Sequence, residues 1–288
     1  MGIAAIIEGR TRDLGGFTVA RVLPAAARRN VGPFVFLDHL GPTEHAPGVG
    51  LDVRPHPHIG LATVTYLFDG EIHHRDSLGM SQTIRPGEVN WMTAGRGIVH
   101  SERTPPEARA RGQRLHGLQL WCALPKEHEE VEPSFQHYGT GDVATVELQG
   151  GVARIVVGHA FGVTSKVETL VPTWLVHLEL EVGATIEVAA DYDERAAYVV
   201  DGAVEVEGQA LGERKLGLFA IDQRAELCAM TKTRLVLLGG ATLDGPRHLE
   251  WNFVSSSKER LEQAKADWRD RRFPAVPGDD VEFIPLPE

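Results

Sequence analysis

Hydrophobic and polar positions alternate along the chain in short runs, and no helical stripe interrupts them until residue 256. Leu61-Ala-Thr-Val-Thr-Tyr-Leu-Phe68 is dense in β-branched and aromatic residues and stops at Asp69-Gly70, a dipeptide that favours a tight hairpin turn. Residues 84–92, 115–123 and 152–157 read as further strands, as do 175–180, 185–188, 196–200, 204–206, 216–221 and 234–238. Glycine (31 residues) and proline (17) punctuate these runs throughout. Strands this short and this evenly spaced predict an all-β protein built as an antiparallel sandwich or barrel.

One segment breaks the texture. After Ser256, Leu261, Ala264 and Trp268 recur at helical spacing, with Glu259 and Glu262 early and Arg269, Arg271 and Arg272 late. That polarity suits a helix dipole, so a helix near 256–272 is expected, docked by its apolar face and ended by Pro274. Pro125, Pro133 and the charged Lys126–Glu130 stretch interrupt the strand pattern, and Tyr66–Gly70 is echoed by Val199–Gly202 as a strand entering a turn. Two β domains follow, 1–135 and 136–288, the second including the helix.

Composition narrows the class. The 288 residues are 42% hydrophobic and 24% charged, which is globular and excludes wholesale disorder. No apolar run approaches the roughly 18 residues of a membrane span, so no membrane association is expected. The opening residues lack a basic segment followed by an apolar core, and two cysteines, Cys122 and Cys228, cannot supply a disulfide framework. A cytoplasmic protein, monomeric in the simplest case, is expected. The net charge of −11 argues against direct nucleic-acid binding.

Histidine is unevenly placed: six of the thirteen lie between residues 56 and 116. Two pairs stand out, His56 with His58 in Arg54-Pro-His-Pro-His-Ile-Gly60, and His100 with Glu102 in Gly97-Ile-Val-His-Ser-Glu102. On an extended backbone, residues i and i+2 project from the same face, so each pair aims two donors at one point. Two such strands facing each other supply four. Three imidazoles and a carboxylate suit Fe, Mn, Ni, Cu or Zn rather than Ca. Pro55 and Pro57 fix the backbone around the first pair, and Gly95 and Gly97 permit a close approach before the second.

Plainer readings attach to the other candidates. His73 and His74 are adjacent, so on a strand they face opposite ways; surface placement is the simpler reading, with one of them a candidate for the pocket. His116 and Gln119 are candidates for pocket lining, Trp91 and Met92 for core, Cys122 and Cys228 for buried small hydrophobes, and the acidic 127–132 run for a solvated linker.

Pro55-His-Pro-His-Ile-Gly60 with its following strand, then Asn90-Trp-Met-Thr-Ala-Gly-Arg-Gly-Ile-Val-His-Ser-Glu102, His116-Gly-Leu-Gln-Leu-Trp121 and Trp251-Asn-Phe-Val-Ser-Ser-Ser-Lys-Glu259, together resemble the pirin family of the cupin superfamily. The resemblance runs over nearly the whole chain. It implies a bicupin, two double-stranded β-helix barrels, with one mononuclear divalent metal in the N-terminal domain, most often Fe(II). The family's ligands fall on His56, His58, His100 and Glu102, the four residues already marked by spacing. Counting back twelve residues from Gly70 reaches His58, whereas the same count from Gly202 reaches Ala190, with Val188 two before it. Neither can ligate, so the C-terminal domain is expected to be metal-free.

The resemblance further implies a quercetin 2,3-dioxygenase-like activity, in which a flavonol ring is opened with O2 and Glu102 takes the hydroxyl proton as catalytic base. The alternative it carries is a redox-sensitive iron-binding regulator acting on a transcription factor or metabolic enzyme. Both use the same four residues.

Overall fold

Strand accounts for 53% of the chain and helix for 7%, as the short alternating runs require. The computed structural model describes residues 2–13 and 17–287. No helix among them is long and apolar enough to cross a membrane. The described chain forms two compact units, and neither is a continuous half. One comprises 1–12, 20–38 and 141–242; the other comprises 13–19, 39–140 and 243–288.

The unit containing residues 141–242 pairs a seven-stranded antiparallel sheet with a four-stranded one. Its edge strand is Ile3–Glu8, which pairs with Lys215–Phe219 through Ile6↔Gly217 and Ile7↔Leu216. Alternation explains the capture: Ile7 is buried whereas Glu8 is exposed and bonds Lys215. Ile155, Val176, Leu178, Val199, Leu235 and Leu237 fill the space between its sheets. His177 is buried in this unit, but no metal-binding group of His, Cys, Asp or Glu forms there among the described residues.

The other unit holds the sequence motifs. Its four-stranded antiparallel sheet runs in the order Asp52–His58, Ile98–Arg103, Ile72–Asp76, Ser81–Ile84. A second sheet contains Ser134–Tyr138, Val89–Thr93, Leu61–Asp69 and Gln113–Ala123 as successive neighbours. The expected single strand over 84–92 is two strands. Pro86-Gly87 breaks it into a turn closed by the Glu88 amide on the Arg85 carbonyl (3.1 Å), with Gly87 at φ +78°.

The C-terminal helix spans Lys258–Arg269 and belongs to this unit rather than to the one built on residues 141–242. Ser257 caps it, accepting from the Arg260 amide at 3.2 Å. Leu261, Ala264 and Trp268 are its buried residues and pack with Ile59, Val99 and Phe253. Hydrophobic docking therefore overrides chain order: the helix goes where an apolar surface awaits it, on the outer side of the Asp52–His58 and Ile98–Arg103 strands. The division at 135/136 expected from the charged stretch is crossed in both directions, because the N-terminal strand and the C-terminal helix each find their partners far along the chain. The 127–132 run is also not simply a linker. Glu129 is buried, ion-pairs with buried Arg247 (2.8 Å), and accepts from the Ser255 and Ser256 hydroxyls and the Ser256 amide at 2.9–3.0 Å.

Candidate metal centre

Register brings the two sequence pairs together. The Ile98–Arg103 strand pairs with Asp52–His58 through Ile98↔His58, Val99↔Pro57 and His100↔His56, then shifts so that Glu102 faces Val53. Two residues, Pro55 and Arg54, thus oppose one, Ser101, a bulge on the proline-containing strand. Cross-strand partners share a face, so His56 and His100 point the same way, and His58 follows two residues on. Gly60 permits the exit from this strand: at φ +66° it lies where a Cβ would stand 2.0 Å from the Val254 carbonyl oxygen.

One ring nitrogen from each of His56, His58 and His100 lies within 4.8 Å of the other two, and the three side chains are buried. His58 Nε2 and His100 Nε2 are 3.1 Å apart. The opposite ring atoms are engaged: His56 Nδ1 donates to the Arg54 carbonyl (2.9 Å) and His58 Nδ1 to the Asn252 carbonyl (3.0 Å). A carbonyl only accepts, so in these neutral rings the proton is on Nδ1 and the Nε2 lone pair faces inward. Burial pushes the pKa of His56 down to about 4, and those of His58 and His100 well below the usual value. All three are therefore unprotonated at neutral pH. Inward lone pairs crowded away from water are stabilised by a shared cation, and two nitrogens bound at right angles to one ion at ~2.1 Å stand ~3.0 Å apart. The donor set fits a metal.

Glu102 lies on the same face as His100 but outside the three-histidine group. It is buried, and burial raises its pKa, opposed by nearby His74 and the Thr65 hydroxyl. Thr65 Oγ1 lies 3.2 Å from Glu102 Oε1 and 3.0 Å from Gln119 Oε1, and donates to one of them at a time. Trp121 stands edge-on to His58, with ring centroids 5.1 Å apart.

The neighbouring strand adds a third pair that sequence reasoning missed. His100 faces Asp76 and Glu102 faces His74 across the Ile98–Arg103/Ile72–Asp76 ladder. Both residues are buried; His74 Nε2 bonds Asp76 Oδ2 at 2.9 Å, and His74 Nδ1 lies 3.3 Å from His100 Nδ1. His73 faces outward, with Thr83 and Ser81 as partners (2.8 and 3.0 Å). The signal was present: His74 and Asp76 are spaced i, i+2, like the other two pairs. His116 instead stacks on His39, with Nε2 atoms 2.7 Å apart, while Trp91, Met92 and Cys122 are core residues.

Residues 16–122 match the pirin family and residues 175–274 match the pirin C-terminal cupin domain. A pirin-like protein of Caulobacter vibrioides is 52% identical over 99% of this chain and 100% of its own length. The chain belongs to the pirin family. Its fold is accordingly the two-cupin pirin fold, and the three-histidine group, which could bind a metal, belongs to its N-terminal domain. Among solved pirin-fold structures, a quercetin 2,3-dioxygenase from Acinetobacter baumannii is 33% identical, with a TM-score of 0.92 over 99% of this chain and 95% of that one. A bacterial pirin from Escherichia coli, solved in complex with nickel(II), shares the fold at 18% identity, with a TM-score of 0.63 over 83% of this chain and 99% of that one.

Proposed function

We propose that this pirin is a mononuclear metal-dependent dioxygenase of quercetinase type, opening a flavonol ring with O2 and acting as a cytoplasmic monomer. His56, His58 and His100 would hold one divalent ion, Fe(II) first and Mn, Ni, Cu or Zn as alternatives, with Glu102 as fourth ligand and catalytic base. The observation that carries the reading is the buried, converging trio of imidazole nitrogens with a buried carboxylate on the same face. The likeness to the Acinetobacter dioxygenase supports the substrate class.

When bound, the metal supplies Lewis acidity and one-electron exchange with substrate and O2. The protein's own residues do the rest. Burial raises the proton affinity of Glu102, matching a carboxylate to the task of removing a phenolic-type proton near neutral pH. Thr65, donating to Oε1, fixes the carboxylate's orientation and leaves Oε2 for that proton. Trp121 excludes water beside His58.

The test is aerobic incubation of metal-loaded protein with quercetin, followed by flavonol absorbance alongside metal analysis. Turnover proportional to metal content is expected. Glu102→Gln should retain metal on the three histidines and lose most turnover; wild-type turnover in that variant would remove Glu102 from the mechanism. The depth of all three histidines favours one second reading, a redox-sensitive regulator presenting its surface to a partner protein. That reading is distinguished by metal binding without flavonol consumption.

A further inference from the structure

Four polar side chains form one row across the second sheet of the histidine-bearing unit. Register sets His137 opposite Asn90, Asn90 opposite Thr65 and Thr65 opposite Gln119, one residue on each of four neighbouring strands. Cross-strand partners share a face. That face is turned to the sheet of the three histidines. Thr65 Oγ1 lies 3.2 Å from Glu102 Oε1, and Phe135, two residues before His137, stacks on His74 with ring centroids 4.6 Å apart. Asn90 and Thr65, in the middle of the row, are buried, whereas Gln119 and His137, at its ends, are half-buried. Two residues along each strand a second row runs beside the first, and Phe135, Met92, Thr63 and Trp121 make it mostly apolar.

Bonds within the polar row leave its ends unfinished. His137 Nδ1 meets Asn90 Oδ1 at 2.8 Å, and no described residue meets the other ring nitrogen. Gln119 Oε1 lies 3.0 Å from Thr65 Oγ1, and no described residue meets the amide NH2 group. We propose that this row is the floor under the substrate and that its two ends select it: Gln119 takes a carbonyl oxygen beside the reacting hydroxyl, and His137 takes the hydroxyls of an aromatic ring on the far side. The inference rests on the dioxygenase reading above. Gln119 is one strand from Thr65, the residue that bonds Glu102, and His137 is two strands away on the other side. At about 4.8 Å between neighbouring strands, the two arms measure about 5 and 10 Å. A flavonol has the same imbalance about its reacting hydroxyl. The carbonyl is on the adjacent ring carbon, and the hydroxyls of the pendant ring lie several bonds away in the opposite direction. Hydrogen-bonding character matches too. An amide NH2 only donates and a carbonyl only accepts, while an imidazole nitrogen and a phenolic hydroxyl can each play either part. The apolar row gives the flat ring faces a surface to lie on.

Zinc-loaded protein tests this without turnover, since zinc does not change oxidation state. Quercetin and galangin are titrated into it by quenching of tryptophan fluorescence. Galangin is quercetin without the two hydroxyls of the pendant ring, and both keep the carbonyl. Wild type should bind quercetin about 10-fold more tightly, the contribution of one well-made hydrogen bond. His137→Leu should lose that preference by weakening quercetin alone. Gln119→Leu should weaken both flavonols about 10-fold and keep the preference.

A wild type that binds the two flavonols equally would overturn the inference, a result that needs no variant to fold. So would a folded His137→Leu that keeps the preference, or a folded Gln119→Leu with wild-type affinities. The dioxygenase reading is decided separately: iron-loaded wild type that shows the preference and consumes no flavonol loses the reaction and keeps the recognition row. Binding of neither flavonol removes both.

Discussion

Replacing Trp268 with alanine removes the largest side chain that the C-terminal helix buries. Trp268 is 6% exposed and packs among Ile59, Val99, Phe253 and Leu261, with the rings of Trp251, Phe273 and Phe283 at centroid distances of 5.7–6.3 Å. Its Nε1 also donates to the Ile284 carbonyl at 3.0 Å, which ties the extended tail to the helix. Loss of a buried tryptophan costs about 3–5 kcal/mol in transfer and cavity energy, and the lost hydrogen bond about 1 kcal/mol more. A loss of roughly 4–6 kcal/mol is expected, because the surrounding rings are too large to collapse into the void. Urea unfolding followed by circular dichroism measures it. A loss below about 1 kcal/mol would mean that the helix is peripheral to this unit. Metal content per folded chain should be unchanged, since the ladder between Asp52–His58 and Ile98–Arg103 holds the ligands independently of the helix. Zinc lost from folded Trp268→Ala would refute that independence.

Three further outcomes are expected. As pH falls, the unfolded chain takes up a proton at His56 near 6.5 but the folded chain not until about 4, so acid favours unfolding across that window. Metal-free wild type should lose about 3 kcal/mol relative to His56→Gln between those limits, with the gap constant below them; parallel stability–pH curves would refute it. The same burial moves proton competition for the metal well below the 6.5-to-5 range that unperturbed histidines give. Glu129→Ala leaves Arg247 with Asp244 as an ionic partner but removes the acceptor of the Ser255 and Ser256 donors, and should cost about 2–3 kcal/mol by chemical unfolding, whereas a change near zero would show the ion pair to be dispensable. Gly60→Ala should cost at least about 1–2 kcal/mol for its left-handed backbone alone, with the clash on the Val254 carbonyl added, and an unchanged melting temperature would contradict the geometry.

Period-two spacing made much of the centre legible. His56/His58 and His100/Glu102 could be read as inward pairs because strand geometry is local, and three of the four do converge. His74 and Asp76 follow the same rule, but the adjacent His73 means that sequence alone says only that one of the two histidines faces inward, and Asp76 draws no reading there. Which one faces inward depends on the His100↔Asp76 register, a long-range property. Glu129 was masked by its charged neighbours: its burial is set by Arg247 and the Ser255–Ser256 segment, far along the chain. The apolar helix face at Leu261 and Trp268 was plain in the sequence. Its destination was not, since any exposed apolar sheet face satisfies the same pattern.

That destination has a consequence for biosynthesis. The unit that carries the three histidines draws on residues 39–140 and again on 243–288, with the whole 141–242 segment made between them. A nascent chain that has just emitted residue 242 already has all three histidines, but Ile59 and Val99 still lack the helix that covers them, and His58 lacks the Asn252 carbonyl that sets its tautomer. Translation therefore withholds the Asn252 carbonyl from His58 until the 243–288 segment emerges, so the orientation of this one ring is settled later than the strand ladder that carries it.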